Sequence, residues 1–389
     1  MASIGSSAAR RSARRSSSDT PPASKRDDPR LRVTLSLLTG FPGFIGRRLA
    51  ARLLADDAEL RIAAVVEPRM VDVARGAATD IDPERIEVLA GDIGERRLGL
   101  DDLQHERLVG EVRHVFHLAA IYNLAVPLTA AQRVNVDGTG NVLELCAAAE
   151  SLERLVYVST AYVAGLRRGV VYEHELVMGQ EFKNHYESTK FQAEAWTREY
   201  MDRVPTTVLR PAIVVGDSRT GVTQKFDGPY FILRAIAEAD RRGSSIPQFG
   251  RADAPFNVVP VDFVVEAAAA VAADAAAAGE TMHLVDPRPL TAGELTEALS
   301  SEYAGRSPRG RVPSKLVEAS LRLAPLRARL GGTPRESIVY LNHPVAFDTR
   351  RAVAVLEPHD LRAPSFRDYV GPMVEFFRAH EDDPELVPG

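Results

Sequence analysis

One run of residues near the N-terminus restricts the fold more than any other. The apolar stretch Leu31-Arg32-Val33-Thr34-Leu35-Ser36-Leu37-Leu38 passes without a break into Thr39-Gly40-Phe41-Pro42-Gly43-Phe44-Ile45-Gly46, and a helical pattern begins at once. The first part reads as a buried strand. In the second, Gly40 permits a tight turn, Gly43 lets backbone approach a pyrophosphate, and Gly46 allows a helix to pack closely on the strand. The N-terminus of that helix adds N–H donors and a favourable dipole. The spacing is G-x-x-G-x-x-G rather than G-x-G-x-x-G, so the strand-turn-helix setting, more than the glycines alone, points to a dinucleotide. A chain that starts this way commits itself to a parallel α/β sheet with its ligand beyond the carboxyl ends of the strands.

The alternation continues. Leu60 to Val66, Ile86 to Leu89, Val112 to Leu118, Leu155 to Val158 and Thr207 to Leu209 read as strands, and Gly43 to Ala55, Gly138 to Ala149 and Tyr186 to Met201 as helices. The pattern predicts a doubly wound parallel Rossmann sheet. It breaks between Gly216 and Pro255, then resumes with a helix over Glu266 to Ala278 and a strand over Thr281 to Val285. Beyond Ser300 come a polar break, a cationic amphipathic segment from Val312 to Leu330, and a helix over Tyr369 to His380. The expected organisation is a nucleotide-binding core over 31–215 and about 256–300, with a smaller, mostly helical C-terminal substrate cap drawn from about 216–255 and 301–385. Residues 1–30, rich in Ser, Ala and Arg, are expected to be a disordered tail.

Composition excludes several classes of function. A net charge of −5 gives no general attraction to nucleic acid, and no apolar run is long enough to cross a bilayer. Neither H-E-x-x-H nor paired Cys-x-x-Cys occurs among the nine scattered histidines and the single cysteine, Cys146, so no metal is expected. One cysteine forms no internal disulfide, and a soluble protein of the cytoplasm is the expectation. Seven basic residues from Arg306 to Arg329 lie among apolar ones. They read as a solvated face packed on the core, or as a surface for the phosphates of a pantetheine carrier or for peripheral membrane contact.

The reacting groups come from the middle of the chain. In His185-Tyr186-Glu187-Ser188-Thr189-Lys190 the i, i+4 spacing puts a phenol and an ammonium on one helix face, and Ser159-Thr160 lies upstream. A phenol with pKa near ~10 is a poor proton donor at neutral pH, and lowering it by roughly 3 units takes about 4 kcal/mol of differential stabilisation. Lys190 and an oxidised nicotinamide are the expected sources.

Together Gly40/Gly43/Gly46, His117-Leu118-Ala119-Ala120, Asn135-Val136-Asp137-Gly138-Thr139, Val158-Ser159-Thr160-Ala161-Tyr162 and Tyr186-x-x-x-Lys190 resemble the extended short-chain dehydrogenase/reductases. Leu209-Arg210-Pro211-Ala212-Ile213-Val214-Val215-Gly216 adds a likeness to the branch that holds fatty acyl-CoA reductases and the terminal reductase domains of carboxylic acid reductases. The resemblance spans roughly residues 31 to 290. It implies an NAD(P)-dependent oxidoreductase in which Thr160 holds a carbonyl oxygen, Tyr186 protonates it and Lys190 holds the ribose. Asn135 supports the lysine through water or caps a helix start, and Ser159 is the alternate hydroxyl. Cofactor contacts are expected from Gly40, Pro42, Gly43, Phe44, Ile45, Gly46, Ala119, Ala120, Ser159, Tyr186, Lys190, Pro211 and Ile213. Asp92, next to Ile93, reaches the adenine or caps a strand-end turn.

Two residues after the second strand divide the cofactor choice: Glu67 favours NAD(H), and Arg69 favours NADP(H). NADP(H) is preferred here. The expected reaction is reduction of a fatty acyl thioester, on coenzyme A or a carrier protein, to the aldehyde, with the alcohol as the product of a second reduction. The alternatives are a ketone/alcohol or hydroxysteroid-type dehydrogenase, a nucleotide-sugar epimerase, and a non-catalytic dinucleotide sensor.

Overall fold

Every residue of Leu35–Thr39 (β1) is buried, and a strand with no solvent face belongs inside a parallel sheet covered on both sides. The computed structural model, which describes residues 34–122, 126–246, 248, 252–310 and 340–387, places it there. After β1 come α1 (Phe44–Asp56), β2 (Arg61–Val66), α2 (Val71–Ile81), β3 (Ile86–Ala90), α3 (Asp102–Glu111), β4 (Val112–His117), α4 (Leu128–Ala131), α5 (Gly138–Ala148), β5 (Arg154–Val158), β6 (Gly169–Val171) and α6 (His185–Tyr200). The chain continues through β7 (Thr206–Pro211), β8 (Ile213–Val215), α7 (Tyr230–Arg241), β9 (Val258–Pro260), α8 (Val261–Ala273), β10 (Thr281–Leu284) and α9 (Ala292–Ala304). It closes with β11 (Val345–Phe347), α10 (Arg350–Leu356) and α11 (Phe366–His380).

Seven strands form one parallel sheet in the order β10-β7-β5-β4-β1-β2-β3. The winding reverses between β1 and β4, and that reversal opens a crevice beyond their carboxyl ends. Successive residues of each strand serve opposite layers, as a two-residue repeat demands. Leu38, Ile62, Ala64, Phe116, Val156 and Leu209 pack with α1, α2 and α8, whereas Leu37, Ala63, Val65, Val115, Leu155 and Val208 pack with α3, α5 and α6. Each fully buried Leu or Val contributes about 1.5–3 kcal/mol, so a one-residue slip of a strand would forfeit both layers at once.

A third core joins α7, α9 and α11 through Leu233, Ile236, Leu295, Leu299, Tyr369 and Phe377. The expected boundaries near residue 300 therefore shift. The α9 stripe faces α7 and α11 instead of the sheet, while Ala352, Val355 and Leu356 of α10 return to the sheet's core. A polar break in sequence marked the wrong place because which face an apolar stripe meets is settled only by packing. The helix expected over Glu266 to Ala278 starts earlier, after Pro260, and ends at Asp274, whose side chain accepts from Ala276 N and caps a separate 3-10 turn. The expected tail and the segment Val312 to Leu330 lie outside the described residues. Among the described residues, no helix is long and apolar enough to cross a membrane.

Candidate active site

The glycine turn leaves room for a ligand by having no side chains to spare. Gly40 sits at φ +89°, and a Cβ there would lie 2.9 Å from the Ala119 nitrogen; one on Gly46 would lie 2.5 Å from the Gly40 carbonyl oxygen. The Gly43 N–H donates to the Gly40 oxygen at 3.0 Å, and α1 starts at Phe44 with no side-chain cap from Gly43. First-turn amides of such a helix suit a pyrophosphate. Phe44 and Ile45 pack against the core and Pro42 is half-buried, so the turn is held from behind. Ala119 and Ala120 follow β4 alongside it, and Ala119 N donates to Thr39 Oγ1 at 3.3 Å. The same Thr39 hydroxyl meets His117 Nδ1 at 2.7 Å, and His117 Nε2 meets Thr139 Oγ1 at 2.9 Å. Burial, aided by the Lys190 charge, pushes His117 down to about 3. A neutral imidazole thus ties β1, β4 and α5 together beneath the crevice. Donors, glycine clearances and crevice all fit a dinucleotide.

The ribose-selecting residues behave differently from their sequence reading. Glu67 and Arg69 do not act as opposed signals, because Arg69 Nε donates to Glu67 Oε2 at 2.5 Å and the two neutralise each other. Asp92 is committed as well: it accepts from Gly94 N at 2.8 Å and pairs with Arg133 at 2.7 Å. That is the turn-cap alternative, strengthened by an ion pair. Ile93 is buried against Gly138, and its carbonyl accepts from Asn141 Nδ2 at 2.7 Å.

Thr160 and Tyr186 come together. Thr160 leaves β5 as the cap of a 3-10 turn, accepting from Tyr162 N at 3.2 Å, and its hydroxyl is close enough to the Tyr186 phenol to favour ionisation of the phenol. Asn184 caps α6 by accepting from Glu187 N at 2.9 Å, which places Tyr186 in the first turn. Tyr122 lies edge-on to Tyr186 with ring centroids 5.2 Å apart. Half-buried Asp227 acts on Tyr122 from the loop before α7, and burial pushes it up to about 6.

Three expected site residues have partners within the fold. The Lys190 ammonium donates to the Val158 carbonyl at 2.8 Å and lies 4.4 Å above the Tyr157 ring. Burial pushes Lys190 down to about 7, with Glu194 opposing, while Tyr186 is pushed up by burial and by Glu187, with the nearby Thr160 hydroxyl opposing. Ser159 is no spare hydroxyl for a ligand, since it is buried and donates to Glu194 Oε2 at 2.7 Å. Asn135 is not at a helix start. It lies inside the π-helical turn Gln132–Asp137, accepts from Ile121 N at 2.8 Å and donates to Thr189 Oγ1 at 3.0 Å, fastening the loop after β4 to α6 beside Lys190. Pro211 ends β7, and Ile213 begins β8 with its Cγ2 2.8 Å from where a Cβ on Gly228 would lie.

Sequence reasoning missed the network behind these groups. Arg210 and Glu194, both fully buried, form a 2.6 Å pair, and Arg210 also donates to the Glu175 carbonyl at 2.8 Å. Arg210 stood inside a motif that had been noted, and Glu194 lies one helical turn beyond Lys190, so the i, i+4 rule offered a signal for it. Tyr340 gave none.

Residues 38–268 match the family model described as Male sterility protein, an NAD-binding family. The chain is 30% identical over 361 residues to the aldehyde reductase lnaA of Aspergillus flavus, covering 83% of this chain and 34% of that protein. It is 28% identical over 351 residues to the non-canonical nonribosomal peptide synthetase FrzA of Cladobotryum sp, covering 82% of this chain and 33% of that one. It thus spans about a third of those relatives' length. Among solved structures it resembles the terminal R domain from the myxalamid PKS-NRPS biosynthetic pathway, with a TM-score of 0.75, 25% identity, and coverage of 91% and 93% of the two chains. With its seven-stranded parallel sheet and glycine cradle, the chain belongs to the NAD-binding Male sterility protein family of the extended short-chain dehydrogenase/reductases.

Proposed function

We propose that the chain is an NAD(P)-dependent oxidoreductase that reduces an acyl thioester to an aldehyde with release of the thiol, and that Tyr186 supplies the proton. The observation that carries the reading is the nearness of the Thr160 hydroxyl to the Tyr186 phenol, in the same chain as the glycine cradle. The likeness to a terminal R domain and to peptide synthetases favours a thioester on a carrier protein's phosphopantetheine over one on coenzyme A. A fatty acyl group stays within the proposed substrate class.

The reduced nicotinamide supplies the hydride when bound. Thr160 and Tyr186 hold the carbonyl oxygen between two hydroxyls, and the phenol gives its proton as that oxygen becomes an alkoxide. The resulting hemithioacetal re-forms its C=O bond as its C–S bond breaks; the electron pair leaves on sulfur, which takes a proton from solvent to become the thiol, and the hydroxyl proton returns to the phenolate, so one solvent proton is consumed per turnover. Lys190, lowered to about 7 by burial, anchors the ribose as a hydrogen-bond donor. NADP(H) is the preferred cofactor, with Arg69 meeting the 2′-phosphate once it exchanges the Glu67 carboxylate for the ligand. Further reduction to the alcohol needs a second reduced cofactor.

The test follows NAD(P)H oxidation and free thiol together, across acyl-carrier and acyl-CoA thioesters, aldehydes, ketones and nucleotide sugars. Equal thiol and oxidised cofactor on thioesters, abolished to below about 1% in Tyr186→Phe, is the expected result. Oxidation on ketones alone, without thiol, overturns it.

A further inference from the structure

Beside the reacting pair lies a buried charge cluster that hydride transfer does not require. Lys183 Nζ sits 3.1 Å from Glu187 Oε1, with the two side chains 2% and 0% exposed, and also donates to the Gly165 carbonyl at 2.7 Å. Tyr340, more than 150 residues further along, donates from its hydroxyl to Glu187 Oε1 at 2.7 Å and accepts from Asn184 Nδ2 at 2.9 Å. Its ring meets Tyr162 edge-on at 5.0 Å, and the Lys183 ammonium lies 5.6 Å from the Tyr162 ring and 5.1 Å from the Tyr340 ring. Removing two charges from water is no route to stability, since apolar side chains of similar volume do as well or better. The placement of the cluster is the clue. Tyr162 donates its N–H to Thr160, while Asn184 and Glu187 flank Tyr186 in the first turn of α6.

We propose that Lys183, Glu187 and Tyr340 are a positioning set that holds the turn carrying Thr160 and the turn carrying Tyr186 in register. The proposal rests on the reading of Tyr186 as the proton donor. Tyr340 touches both turns, through Tyr162 on one side and through Asn184 and Glu187 on the other. Burial raises the Tyr186 phenol above its ordinary range, and the Glu187 carboxylate adds to that rise. The other groups around the phenol are Thr160, Tyr122 and Tyr157, with Asp227 acting on Tyr122; those around Glu187 are Lys183, Tyr162 and Tyr340, and His343 faces Lys183.

The experiment uses the full chain with difluorotyrosine at position 186, whose greater intrinsic acidity brings its ionisation within reach of a fluorine NMR titration that needs no substrate. Glu187→Gln is expected to lower the apparent pKa at position 186 by about one unit, the size expected for removing a charge at close range. In the unlabelled protein, Tyr340→Phe, which keeps the ring contacts, is expected to lower kcat on an acyl-pantetheine thioester about tenfold with KM for the cofactor unchanged. Should Glu187→Gln fail to fold, the volume-matched Lys183→Met/Glu187→Leu pair carries the titration. An unmoved titration overturns the positioning set whatever the turnover. A moved titration without any thioester reduction upholds the set and overturns the proposed reaction. A moved titration with kcat within twofold in Tyr340→Phe removes Tyr340 and overturns the set as stated.

Discussion

Glu194→Gln tests whether the buried network, and not the catalytic helix alone, holds the site together. The Glu194 carboxylate receives Arg210 through Nε at 3.1 and 3.0 Å and Nη2 at 2.6 Å, Ser159 Oγ at 2.7 Å, and Arg198 Nε at 3.1 Å. A neutral amide offers one acceptor oxygen and turns two donors toward a guanidinium that is itself fully buried. Stripping one partner from such a pair costs about 3–5 kcal/mol. The carbonyls of Glu173 and Glu175 and the His283 ring still accept from Arg210, which points to the lower end, about 3 kcal/mol. In urea that loss corresponds to a midpoint about 1 M lower with an unchanged slope. Glu194→Gln/Arg210→Met is expected to lose less than Glu194→Gln alone, because it also removes the fully buried guanidinium and leaves only the more exposed Arg198 without its carboxylate. The loss also reaches Lys190, whose ammonium Glu194 favours, so the variant's Lys190 titrates below the parent's value of about 7. A midpoint shift smaller than about 0.3 M, or a double variant worse than the single, refutes the reasoning.

Other perturbations read out other parts of the molecule. Gly46→Ala puts a Cβ 2.5 Å from the Gly40 carbonyl, and calorimetry is expected to show at least about tenfold weaker nucleotide binding with the chain still folded. His117 is neutral in the fold down to about pH 3, well below its ordinary range, so the unfolded chain binds its proton first as pH falls. Stability is then lost progressively from about pH 6.5 toward 3, by up to about 5 kcal/mol from this residue, and His117→Asn should flatten the profile in that window. Lys190 has the same sign at higher pH: its folded value of about 7 lies below its unfolded one, so the ligand-free protein gains stability as pH rises from about 7 toward 10. Denaturant titrations of Lys190→Met should lack that rise.

Much of the fold was legible because it is written in short-range patterns. Buried strands such as Leu155–Val158 are runs of apolar residues, and the glycine turn needs backbone angles that only glycine adopts cheaply. Thr160, Tyr186 and Lys190 were legible as residues, because spacing on one helix and position after one strand follow from the chain alone. Their electrostatics were not. Whether Lys190 faces the phenol or the Val158 carbonyl, and whether Glu67 and Arg69 oppose or neutralise each other, depends on side-chain directions that no spacing specifies.

By itself, then, the sequence determined the sheet, its parallel winding and the glycine turn at its crevice, since these depend on periodicity and on glycine, which act over a few residues. Tertiary structure alone decided which charges meet: Arg210 with Glu194, and Tyr340 with Glu187 from more than 150 residues away. Burial strengthens every such encounter by excluding water, so the acidity of the site is a property of distant residues brought together and not of the motif that contains them.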